Sequence, residues 1–152
     1  MEVLDLIEAL QEQEKNLTNL NETALHKQKA LVSSDYEELQ KTIVVEEKLL
    51  LNIQSAERMR LEAVKVIREK YSLSGDVVKV AHVIENLRNK IELQQLENLT
   101  VLEARIKELI KTANVLNQKN KFLIDHSRSF IKETILSLLG EQKKHALLDR
   151  KI

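Results

Sequence analysis

"VLDLIEALQEQEKNLTNLNETALHKQKAL", residues 3–31, decides the fold. Val3, Leu6, Leu10, Gln13, Leu17, Leu20, Ala24, Lys27 and Leu31 alternate steps of three and four, and only Gln13 and Lys27 among them are polar. That is the heptad seam of one long helix lying against another.

Working outward, the helix should end near "VSSDYEE", where Ser34 and Glu37 have capping-box spacing and Asp35 adds negative charge to the next helix start. A second helix follows through Leu39, Ile43, Leu50, Ile53, Leu61, Val64, Ile67 and Tyr71. Its step from Ile53 to Leu61 is out of heptad phase, a stutter that unwinds a supercoil locally. "YSLSGD" then predicts a turn around Gly75. The third segment starts with Val77, Val80, Ile84, Leu87 and Ile91. It changes phase before Leu99, Leu102, Ile106, Leu109, Ala113, Leu116, Asn120, Leu123, Ser127, Phe130 and Thr134, so a kink or break is expected between residues 86 and 98. Gly140 reads as a stop, leaving residues 141–152 as a flexible tail. The expected fold is all-α: an antiparallel up-and-down bundle of three long helices with coiled-coil-like packing, the last kinked or split to give a fourth. Residues 1–140 form the domain, with about 99–139 as its C-terminal helix.

Composition agrees. The 152 residues hold no proline, two glycines and 3% aromatics, too few turn residues for a strand-rich fold. Lys plus Arg and Asp plus Glu number 24 each, so no net field recruits nucleic acid or an anionic membrane. The absence of cysteine removes disulfides, thiol catalysis and thiolate metal sites. "MEVLDLIEAL" carries acid where a signal peptide is basic, and no apolar run reaches spanning length, so the chain is expected to be cytoplasmic without membrane insertion. The sequons at Asn16, Asn21 and Asn98 then carry no meaning.

Asp125, His126 and Ser127 are the residue types of a hydrolytic triad, but successive side chains on a helix diverge by about 100° and cannot converge. A carboxylate-bridged di-metal bundle draws on Glu-x-x-His pairs, and none occurs. His26, His82, His126 and His145 are scattered and read as solvated helix residues; Glu141 and His145 lie one turn apart, in the tail. Two isolated glycines cannot build a phosphate loop. No catalytic, cofactor or metal site is expected.

The surplus lies elsewhere. At 1.5 Å per residue the three segments span roughly 45, 55 and 95 Å, so a last segment folded back on the second would overhang from about Ala113. Nine of the eighteen residues from Phe122 to Leu139 are Phe, Leu or Ile. Apolar surface without an intramolecular partner marks an interaction site. Within the stripe Asn120, Ser127 and Thr134 recur every seven residues, either to fix register at a cost in stability or to hydrogen-bond a partner helix.

In the same segment, "LNQKNKFLIDHSRSFIKETILSLL", the paired Asn117 and Asn120 precede Leu123 and Ile124, then Ser127, then Phe130 and Ile131, then an apolar ending. With the helix around "LIEALQEQEKNLTNL" and the middle turn, this resembles the FlgN family of flagellar export chaperones; the usual acidic spacer is reduced here to "VSSDYEE". The resemblance implies a cytoplasmic chaperone without ATPase activity. It would hold C-terminal helical segments of hook-filament junction proteins of the FlgK and FlgL type for type III export. The implied contact residues are Asn117, Asn120, Leu123, Ile124, Ser127, Phe130, Ile131, Thr134, Ile135 and Leu138. Contacts with export-apparatus components and a homodimer stay open. The competing expectation is a structural homo-oligomeric coiled coil or adaptor without a client.

Overall fold

The computed structural model describes residues 1–75 and 79–149, with side chains through residue 139. Four helices and no strand occur among them: α1 (Glu2–Ser33), α2 (Tyr36–Tyr71), α3 (Val80–Leu87) and α4 (Leu93–Asp149). The turns fall where local chemistry predicts. Ser34 takes a left-handed conformation at φ 55°, and the Asp35 N–H reaches back to the Ala30 carbonyl at 2.9 Å, closing α1. Asp35, rather than the expected Ser34, caps α2, its carboxylate accepting from the Glu38 N–H at 3.1 Å. Ser72 at φ 50° and Gly75 at φ 85° make the second turn. The break expected between 86 and 98 is real: Arg88 is extended, Asn89 turns left-handed at φ 66°, and α4 starts at Leu93. The stop expected at Gly140 is not used, because α4 runs on to Asp149. The residues after Gly140 are mostly helix formers with no proline among them, so one glycine does not end the run.

α1 is the hub. α2 runs antiparallel to it and α4 parallel to it, while α2 and α4 do not run along each other. Lys70 Nζ donates to Glu2 Oε2 at 2.7 Å and fixes the α1–α2 register. In that register Ala9 lies opposite Ala63, Asn16 opposite Ala56, Thr23 opposite Leu49 and Ala30 opposite Thr42, all buried. Six of these eight positions are Ala or Thr, with Ala at four of them, and such small residues favour close approach of the two backbones. The seam keeps its heptad throughout, so the expected stutter between Ile53 and Leu61 is not where α2 meets α1. Leu50 and Leu61, placed on the α2 seam by sequence, are 49% and 42% exposed. The two polar breaks in the α1 stripe both pair with α2: Lys27 with Glu46 at 3.1 Å, and the Gln13 amide with Glu57 at 3.2 Å.

All four helices meet only at one end. There Val3, Leu6, Ile7 and Leu10 pack with Val64 and Ile67 of α2, Val83, Ile84 and Leu87 of α3, and Leu99 and Leu102 of α4. The short α3 closes this end: its three buried residues, Val83, Ile84 and Leu87, cover the core while the chain reverses.

The Lys70 hydrogen bond, its largest cause, holds the Glu2 carboxyl down at about 2 from 4.5, and the Lys70 ammonium is raised in return. A carboxyl with a depressed folded-state value stabilises above its unfolded value, and that stabilisation is lost as pH falls through the folded one. Glu2→Gln should therefore melt below wild type at pH 5, with the gap closing toward pH 2. A gap that is constant over that range contradicts the assignment.

Candidate helix-docking face

The apolar stripe of α4 is one continuous feature with two fates. Its first half is spent on α1: Leu99, Leu102, Leu116 and Asn120 are buried, and Ile106, Leu109, Ala113 and Leu123 are half-buried. Polar bonds set the alignment. Arg105 pairs with Glu14 at 3.3 Å, the Asn21 amide donates to the Leu109 carbonyl at 3.1 Å, and the Asn120 amide donates to the Ala24 carbonyl at 3.0 Å. α1 ends at Ser33, and its final turns, at Gln28 and Val32, line one small cavity with Phe122 and Leu123.

Past that level the stripe continues without a partner. Phe130 is 65% and Leu138 80% exposed, Ile131 and Thr134 are exposed, and Ile124, Ser127 and Ile135 are half-buried. Among the described residues, no hydrogen bond or ion pair ties 124–139 to another element. The overhang thus begins near Leu123 rather than Ala113, because α3 and the break at 88–92 use up length that a straight helix would have projected.

The implied contact residues therefore separate. Asn120, 3% exposed, lies in the α1–α4 seam, where its role is register. Asn117 is exposed on the flank facing α1 and α2. Leu123 and Ile124 sit at the end of the bundle, and Ser127, Phe130, Ile131, Thr134, Ile135 and Leu138 lie on the projection. Thr134 donates its hydroxyl to the Phe130 carbonyl at 2.8 Å, so its oxygen is engaged along its own helix. Asp125, His126 and Ser127 share no hydrogen bond; the His126 ring instead stacks on Phe122, centroids 6.1 Å apart. Among the described residues no group of three or more His, Cys, Asp or Glu could hold a metal ion, and no helix is long and apolar enough to cross a membrane.

A second feature escaped the sequence reading. Because α2 and α4 flank α1 without running along each other, a groove lies between them with α1 as its floor. Leu17, Leu20 and Ala24 form that floor, Leu50 and Ile53 one wall, and Ile106, Ile110 and Ala113 the other. Cavities of about 540 and 280 Å³ follow one another along it. Glu57 lines the lower part, its carboxyl held below the usual range chiefly by the Arg60 hydrogen bond. Only the pairing of helices creates this groove, so periodicity within each helix gives no sign of it.

The family model described as FlgN protein matches residues 1–148, which takes in both the bundle and the projecting stripe. No curated protein and no solved structure matches the chain.

Proposed function

This chain belongs to the FlgN family, and on that premise we propose that it is a cytoplasmic flagellar export chaperone that holds C-terminal helical segments of FlgK- and FlgL-type hook-filament junction proteins. The observation that carries the reading is the open stripe on α4 from Ile124 to Leu138. It is about half of a helix–helix interface, made of large apolar side chains at helical spacing and standing clear of the bundle.

A client helix with a matching apolar face would lie along it, each large side chain gaining about 2 kcal/mol on burial. The cost of association and of ordering the client offsets most of the total. That balance suits a chaperone: the grip suffices to cover a segment that would otherwise polymerise, yet is weak enough to be released at the export apparatus. Nothing in this mechanism calls for nucleotide hydrolysis.

The test is co-purification. The tagged chain should retain a full-length FlgK- or FlgL-type protein and lose it when the client's C-terminal helical segment is deleted. Equal retention of the truncated client would overturn the proposal.

A further inference from the structure

The apolar stripe on the α4 projection has one basic edge, and we propose, resting on the chaperone reading, that this edge selects the client: a helix that carries acidic residues along one side of its own apolar face.

The pairing of basic residues on α4 changes where its apolar cover ends. Alongside the bundle Arg105 pairs with Glu14 at 3.3 Å, Lys107 with Glu103 at 3.0 Å and Lys111 with Glu108 at 3.3 Å. Farther out, the exposed side chains of Lys121, Arg128 and Lys132 form no ion pair or hydrogen bond among the described residues. Lys119 is also unpaired, but it sits at the end of the bundle beside Val32. At about 100° per residue, Lys121, Arg128 and Lys132 follow one edge of the stripe, next to Ile124 and Ile135. The opposite edge, next to Phe130, holds His126, Glu133 and Ser137, and Asp125 falls on the far side of the helix. The basic edge thus has no acid of its own. Arg128 and Lys132 are one turn apart, and like charges at that spacing destabilise a helix. A carboxylate laid between them offsets that repulsion.

A client helix lying on the stripe brings one of its flanks over this edge. The match calls for acids one turn apart, level with Arg128 and Lys132, and a third about two turns away for Lys121. Charges at the rim of an interface set encounter rate and register more than affinity, which suits a client that must be released. A second copy of this chain fits poorly. Two projections packed antiparallel about a twofold axis set each edge against the same edge of the partner, basic on basic. Packed parallel, the partner's unbroken α4 would run into α1, which occupies the same face below Leu123.

Two synthetic peptides test the edge: the C-terminal helical segment of the FlgK- or FlgL-type client, and the same segment with its Asp and Glu replaced by Asn and Gln. At an ionic strength of about 0.01 M the neutralised peptide should bind the full chain about fivefold more weakly, and at about 1 M the gap should close. Arg128→Gln combined with Lys132→Gln should cost the native peptide about as much. His126→Glu combined with Ser137→Glu, an equal change of net charge on the other edge, should cost less than about twofold. Equal losses from the two pairs, or a gap that persists at high salt, overturn the proposal, as does a client segment that binds yet carries no acid beside its apolar face. If the Gln pair lowers the helicity of the free chain, the comparison of peptides on wild type still decides. The two readings fail differently: no binding of the native peptide at either salt sinks the chaperone reading, whereas tight binding indifferent to peptide charge sinks only the acidic edge.

Discussion

Phe130→Asp is expected to abolish client retention while leaving the free protein folded. Phe130 is 65% exposed on the projecting part of α4 and contributes nothing to the core. In a complex it would lie near the centre of the stripe, flanked by Ile131 and, one helical turn away on either side, by Ser127 and Thr134. Aspartate there removes a large apolar contact and sets a charge against a surface that must be desolvated. Losses of about 2 kcal/mol or more, close to thirtyfold in affinity, are typical of such central residues. Ile131→Asp should behave alike. Titration of each variant with a client C-terminal peptide, alongside circular-dichroism melting at low protein concentration, checks both halves of the expectation. If Phe130→Asp unfolds the protein, the stripe belongs to the core; if affinity falls less than threefold with the fold intact, the client sits elsewhere.

The opposite behaviour is expected of Ile67→Ala. Ile67 is fully buried where the four helices meet, packed among residues of α1, α3 and α4. Removing its branched side chain leaves a cavity that rigid neighbours cannot fill, at a cost of about 2–5 kcal/mol. For a domain of this size that is a fall of roughly 4–20 °C in melting temperature. Leu50→Ala, on the same helix but half exposed, should cost under about 1 kcal/mol. The pair is a direct test of which residues of α2 face the core. Equal destabilisation by the two substitutions would show that the α2 seam runs through Leu50 after all.

That contrast marks where the sequence was legible. Long helices, the turns at Ser34–Asp35 and Ser72–Gly75 and the break before Leu93 all followed from periodicity and cap chemistry, which are local. The α4 stripe was read residue by residue, because its buried positions are large and apolar. The α2 seam was read correctly at Val64 and Ile67 but misplaced upstream, where the inward residues are Thr42, Ala56 and Ala63, with Leu49 as the one large member. A search for bulky residues finds Leu50 and Leu61 instead. Close approach of two helices favours small side chains, and small side chains carry little hydrophobic signal. The start of the projection and the groove beside it depend on which helices touch, a tertiary property that no single helix records.

The parallel course of α1 and α4 has a consequence for how the molecule is made. α1 and α2 pair across a two-residue turn, a contact between near neighbours in sequence, whereas α4 meets α1 across some ninety residues, as in Asn120 with Ala24. Local pairing is fast and distant pairing slow. During synthesis, which proceeds from the N-terminus, the α1–α2 hairpin can close first and wait with half of the α1 surface uncovered. Residues 93–123 then emerge and claim it, and the open stripe leaves the ribosome after the surface it most resembles has already been taken. The order of residues along the chain thus lets the α1 surface be covered by residues 93–123 before the open stripe is made.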